Sequence, residues 1–161
     1  MMDPESHHLA VPRTARYFTL GRTERPVDDV WFLFHGYGQL ASELLRYARA
    51  LVRDRRLLVV PEGLSRFYLE DHERVGASWM TREDRLAEID DYVRYLDLLH
   101  DRIFERLSGS NARLRVLGFS QGVATATRWA TRGKAEAREL VLWGSPLPHD
   151  LDEAGMARLS R

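Results

Sequence analysis

Leu114-Arg115-Val116-Leu117-Gly118-Phe119-Ser120-Gln121-Gly122-Val123-Ala124-Thr125-Ala126 joins an apolar run of strand length to a helix-period run of small residues, through a turn of the form G-x-S-x-G. In such a strand-to-helix turn the serine takes a sharp, strained position, and glycines two residues to either side let strand and helix approach each other. The Ser120 hydroxyl then stands above the carboxyl edge of a sheet, beside a helix N-terminus whose dipole favours a developing oxyanion. A serine that merely caps the following helix would use the same residues.

Working outward, strand-length runs alternate with helical periods, the pattern of a mostly parallel, doubly wound sheet with helices on both faces. Val30-Trp31-Phe32-Leu33-Phe34 is continuous and apolar, as a strand buried on both faces should be. Leu57-Leu58-Val59-Val60 stops at Pro61, and Leu140-Val141-Leu142-Trp143 stops at Gly144. Tyr17-Phe18-Thr19-Leu20 alternates weakly and is assigned to an edge. Leu44, Leu45, Ala48, Leu51 and Val52 form one helical stripe. Leu86, Ile89, Val93, Leu96, Ile103 and Leu107 form a longer one, behind Thr81-Arg82-Glu83-Asp84, which reads as a capping box. The helix after Ser120 is expected to end at Gly133 in a left-handed cap. The stretch from Glu62 to Met80 reads as one long loop, of a length that usually carries function.

A second glycine turn, His35-Gly36-Tyr37-Gly38-Gln39-Leu40-Ala41, follows the Val30 to Phe34 strand. Gly36, Gly38 and Ala41 fit the dinucleotide fingerprint, with Glu62 about twenty residues on as a ribose ligand. The same turn can supply a backbone N–H to an oxyanion hole. A nicotinamide-dependent oxidoreductase therefore stands as one alternative, although it leaves the Gly118 to Gly122 turn unexplained.

Leu33-Phe34-His35-Gly36-Tyr37-Gly38, Val60-Pro61-Glu62-Gly63, Ser78-Trp79-Met80 and Leu117-Gly118-Phe119-Ser120-Gln121-Gly122 together resemble the carboxylesterase/phospholipase group of α/β-hydrolases, which includes acyl-protein thioesterases and bacterial carboxylesterases. The resemblance runs from about residue 30 to residue 145 and implies a cofactor-free serine esterase acting on carboxylic esters or thioesters. It assigns Ser120 as nucleophile, the backbone N–H groups of Tyr37 and Gln121 as the oxyanion hole, and His35 as a residue that holds the turn. Phe67, Trp79 and Met80 are candidates to line an acyl channel; for Trp79 the competing reading is a core residue.

In this fold the acid and histidine follow the serine, on loops after later strands. After Trp143 the sequence offers only Ser145-Pro146-Leu147-Pro148-His149-Asp150 and a short polar tail, so two further units, roughly 25–30 residues apiece, are expected to be missing. His149 and His72 are poor substitutes as base: the chain order is wrong for the first, and a long loop surrounds the second. The expectation is a single domain over residues 1–161, flexible over 1–16, weak or silent as a catalyst, and prone to self-association through an uncovered sheet edge. A catalytically silent hydrolase-fold module that binds an acyl ligand or a partner is the second alternative.

Composition narrows the partners. Twenty-four Lys and Arg balance 24 Asp and Glu, so no excess positive charge draws nucleic acid or anionic lipid. The absence of cysteine removes disulfides, thiol catalysis and cysteine-ligated metal. No signal-peptide core or membrane-length apolar run is seen, and a cytoplasmic location is expected. His7-His8, two adjacent residues without a ligand cluster, suggest no metal.

Overall fold

The computed structural model describes residues 3–70, 72–107 and 111–160. Strands β1 (Tyr17–Leu20), β2 (Asp29–Phe34), β3 (Arg56–Pro61), β6 (Arg113–Phe119) and β7 (Glu139–Trp143) form one sheet in the order β1-β3-β2-β6-β7. All neighbours are parallel except β1, which runs antiparallel to β3 at one edge, where the weak alternation of Tyr17 to Leu20 had put it. Among the described residues β7 is the other edge. Strands β4 (Ser65–Tyr68) and β5 (Val75–Ser78) pair as a separate antiparallel hairpin.

Pleating divides the core into two layers. Val30, Phe32, Phe34, Leu57, Val59, Leu114 and Val116 point to one face, beneath α2 (Arg85–Arg106) and α3 (Gln121–Arg132). Trp31, Leu33, Leu58 and Val60 point to the other, where Ala41, Leu44 and Ala48 of α1 (Ala41–Ala48) cover them. A 3-10 turn, Arg49–Leu51, follows α1, and a short helix α4 (Glu153–Leu159) packs against α3. Trp31 lies between the guanidinium groups of Arg56 and Arg115, 5.1 and 5.6 Å from its ring. Trp129 packs on Phe32 and Phe34. No helix among the described residues is long and apolar enough to cross a membrane.

Three local expectations change. The stretch between Glu62 and Met80 is the β4–β5 hairpin, stitched to the turn after β2: Gly38 N–H donates to the Ala77 carbonyl at 2.9 Å, and Ala77 N–H to that of Gln39 at 3.3 Å. The start of α2 is not a capping box, since Asp84 is left-handed (φ 50°) and caps nothing with its side chain. Glu88, one turn inside the helix, reaches back to Thr81 N–H at 2.6 Å and so satisfies a group that lies outside it. Gly133 is extended (φ −77°, ψ 178°) rather than left-handed. Glycine is required there for proximity: a Cβ would meet the Trp129 carbonyl oxygen at 2.7 Å.

Gly122 is the closest point between α3 and the sheet. A Cβ there would strike the Phe34 carbonyl oxygen and stand 3.0 Å from that of His35. Both are backbone atoms at the end of a central strand and cannot swing aside. Gly122→Ala should therefore cost about 1–3 kcal/mol of stability in urea unfolding, whereas Ala124→Gly, at a half-buried position one turn from the elbow, should cost roughly 1 kcal/mol.

Candidate active site

Ser120 lies between β6 and α3 with φ 54° and ψ −117°, a conformation that a non-glycine residue adopts only when its surroundings enforce it. Three contacts do so. Ser120 N–H donates to the Trp143 carbonyl of β7 at 2.9 Å, and its carbonyl accepts from Val123 N–H at 2.9 Å. Gly118 and Gly122 are so close that a Cβ on Gly118 would strike the Gly122 carbonyl oxygen. The side chain makes no capping bond to the helix. A serine that only caps would have made one, so the hydroxyl is left free for other use.

The turn after β2 comes to the same place. A Cβ on Gly36 would stand 3.2 Å from Ser120 Cβ. Gly36 N–H donates to Gln39 Oε1 at 2.9 Å, and Gly38 adopts φ 74°, which closes the loop. Among the described residues the backbone N–H groups of Tyr37 and Gln121 have no acceptor. Both donors lie on turns that meet at Ser120.

His35 holds the turn from beneath. It is fully buried and stacks on Trp79 at 5.0 Å between ring centroids. Its tautomer follows from its partners: Gly63 N–H donates to Nε2 at 2.9 Å, so Nδ1 carries the proton and donates to the Gly36 carbonyl at 2.8 Å. Burial lowers its pKa below 6.5, against smaller upward pulls from the Gly36 carbonyl and Glu62. A neutral imidazole committed at both nitrogens cannot serve Ser120 as base.

Glu62 is also fully buried. Burial pushes its pKa up, but bonds from Arg16, Arg66 and Ala41 N–H outweigh that and leave it below 4.5. Its carboxylate oxygens are occupied by two guanidinium groups and the first amide of α1. A ribose hydroxyl would find nothing to accept it, and the dinucleotide reading loses its acid.

The remaining candidates separate. Trp79 is 1% exposed, with its indole N–H donated to the His35 carbonyl at 3.0 Å; it takes the core alternative. Met80 is half-buried, its sulfur 3.4 Å from Arg128 Nη1. Phe67 sits on the hairpin against exposed Tyr37, ring centroids 5.1 Å apart. Phe119 and Trp143 make a second aromatic pair beside Ser120, at 5.6 Å. Neither Tyr37 nor Trp143 stood out in the sequence as a wall residue, because the exposure of Tyr37, in the turn after β2, and of Trp143, at the end of β7, depends on how those segments sit in the folded chain.

Among the described residues no histidine is hydrogen-bonded to Ser120. His149 is exposed, and its neighbour Asp150 is held by Arg128, Arg132 and Arg85. The Arg128 hydrogen bond keeps Asp150 at about 2, so it is a structural anion tying the loop after β7 to α3. His72 lies at the hairpin tip with φ 52°, and His8 pairs with Asp84.

No family model and no curated protein matches the sequence. Solved structures do match in fold. Zea mays acyl-protein thioesterase 2 superposes with a TM-score of 0.63 at 17% identity, over 91% of this chain and 72% of that one. The Bacillus cereus carboxylesterase gives 0.61 at 18% identity, over 84% and 62%. A phospholipase/carboxylesterase from Dyadobacter fermentans gives 0.60 at 18% identity, over 86% and 63%. The chain thus spans 62–72% of the length of these structures.

The buried imidazole sets an acid limit. The unfolded chain takes up the His35 proton near 6.5 and the folded chain only lower, so stability is intact above 6.5 and falls as pH drops between the two values. Glu62 adds a second loss below 4.5, as its folded-state carboxylate is protonated. Urea midpoints of the wild type should fall between about pH 7.5 and 5, and those of His35→Gln should fall less over the same range.

Proposed function

For a chain that carries the α/β-hydrolase fold, we propose a serine carboxylesterase that cleaves carboxylic esters or thioesters through an acyl-serine intermediate. The observation that carries it is Ser120, strained, uncommitted as a cap, and one van der Waals contact from the Gly36 turn. Ser120 Oγ bonds to the substrate carbonyl carbon, and the carbonyl oxygen takes up negative charge before Tyr37 N–H and Gln121 N–H. Collapse of the tetrahedral species breaks the bond to the alcohol or thiol, which leaves with the proton that Ser120 Oγ gave up on attack; water then adds to the acyl carbon, the acid is released, and one water proton restores the Ser120 hydroxyl. A pair of preorganised donors of this kind contributes on the order of several kcal/mol to the barrier. The named folds, a thioesterase and carboxylesterases, support the substrate class. The Tyr37–Phe67 and Phe119–Trp143 pairs suit an apolar acyl group on either side of the nucleophile.

One observation favours the silent-module reading as the alternative: no histidine among the described residues is hydrogen-bonded to Ser120. Without a base, oxyanion stabilisation and binding alone leave roughly 10³–10⁴-fold over water. Labelling by a fluorophosphonate separates the two. Attachment to Ser120, abolished by Ser120→Ala, together with hydrolysis of p-nitrophenyl butyrate lost in the same variant, is the expected result. A folded chain that neither labels nor turns over ester, yet binds a fatty acid, would replace this reading with the module.

A further inference from the structure

Gln121 does more than present its backbone. Its side chain turns back from the first residue of α3 and closes on the stretch Ser78–Met80 at the end of the hairpin. Trp79 N–H donates to Oε1 at 3.0 Å, and Nε2 donates to the Met80 carbonyl at 2.7 Å and to Ser78 Oγ at 3.2 Å. The amide orientation is forced, because a backbone N–H can only face the oxygen and a carbonyl can only face the nitrogen. Ser78 Oγ in turn donates to the Met80 carbonyl at 2.8 Å. The dipeptide Trp79-Met80 is thus gripped at both ends, at the Trp79 N–H and at the Met80 carbonyl, by one side chain.

What that peptide carries makes the grip consequential. The Trp79 indole donates to the His35 carbonyl and stacks on the His35 ring, and His35 Nδ1–H holds the Gly36 carbonyl. The next backbone N–H is that of Tyr37. A continuous path of side chains therefore runs from the residue that supplies one oxyanion donor to the turn that supplies the other. Gln121 and Met80 are half-buried, and Ser78, Trp79, His35 and Gly36 are buried, so along the path as far as exposed Tyr37 few competing waters can substitute for a lost partner.

We propose that the Gln121 side chain is a positioning residue that sets the separation of the two oxyanion donors, acting through Trp79 and His35. This rests on the acyl-transfer reading for its chemical meaning, while the clamp itself is a statement about the folded chain. It differs from a generic packing role in one respect: it needs both a donor and an acceptor on residue 121. A carboxylate keeps the acceptor for Trp79 N–H, loses the donor, and opposes the Met80 carbonyl. A protonated carboxyl recovers the donor.

The experiment compares wild type, Gln121→Ala, Gln121→Glu and Ser120→Ala by amide hydrogen exchange in NMR and by the rate of fluorophosphonate labelling. In Gln121→Ala the Trp79 amide should exchange about tenfold faster and the Tyr37 resonance should shift, with the β2, β3 and β6 amides unchanged. Labelling should slow by about tenfold, with the probe's half-saturating concentration unchanged. In Gln121→Glu the labelling deficit at about pH 8 should shrink at least threefold by about pH 5.5, relative to wild type at each pH. Unchanged exchange at Trp79 in Gln121→Ala, or a Gln121→Glu deficit that is the same at both pH values, overturns the proposal. Labelling that persists in Ser120→Ala overturns the acyl-transfer reading instead. If wild type does not label, exchange at Trp79 and the Tyr37 shift alone decide.

Discussion

The joint between β6 and α3 can form only because positions 118 and 122 lack a Cβ. The last turn of strand and the first turn of helix pass within backbone contact there, and the chain between them has one residue, Ser120, in which to reverse direction. Holding a serine at φ 54° costs about 1–3 kcal/mol. That cost is offset by what the reversal allows: α3 lies flat on the sheet, with Val123, Ala126 and Trp129 fully buried against β2 and β6. The strain and the burial are two ends of one lever. Anything that widens the joint lifts the helix and relaxes the serine together.

Around this joint the polar groups follow a strict economy. The carboxyl ends of β2 and β3 carry His35 and Glu62, buried residues whose capacity is spent on neighbouring turns rather than on a ligand. They make the floor of the site, and their commitment keeps Gly36, Ala41 and Gly63 in place. The Asp150 cluster does the same for the loop after β7. Among the described residues of the two turns, the Ser120 hydroxyl and the Tyr37 and Gln121 N–H groups are left without a partner.

Much of the fold was legible because its signals are local and redundant. Val30 to Phe34 and Leu57 to Val60 are continuous apolar runs, and Leu86 to Leu107 keeps one face over six turns, so the buried strands and the helices that cover them follow from period and sign of hydropathy. The turns at Gly36 and Ser120 were legible for another reason: a strained strand-to-helix turn restricts residue type so strongly that glycine spacing reveals it, whereas Tyr37 was picked out only by the family resemblance. The hairpin was not. Ser65 to Tyr68 and Val75 to Ser78 contain arginine, glycine and serine, pair with each other rather than with the main sheet, and are fixed by bonds to Gly38 and Gln39 that no window of sequence contains. Gln121 and Glu62 illustrate the same limit for side chains. The partners that commit them come largely from far along the chain, Arg16 and Ala41 at 46 and 21 positions from Glu62 and Ser78 to Met80 at 41 to 43 positions from Gln121. Thr81 and Asp84 show the converse, a plausible local cap displaced by a longer-range bond from Glu88.

Indole placement has a spectroscopic consequence. Trp31, Trp79 and Trp129 lie in the interior, at 8%, 1% and 1% exposure, whereas Trp143 is 68% exposed with its carbonyl bonded to the amide of Ser120. Emission from the first three reports the two core layers and is shielded from a soluble quencher. Emission from Trp143 comes from the end of β7, at the rim of the joint between β6 and α3. Acrylamide accessibility therefore reads the joint separately from the core, and a molecule that settles beside Ser120 announces itself as lost quenching before any bond is made or broken.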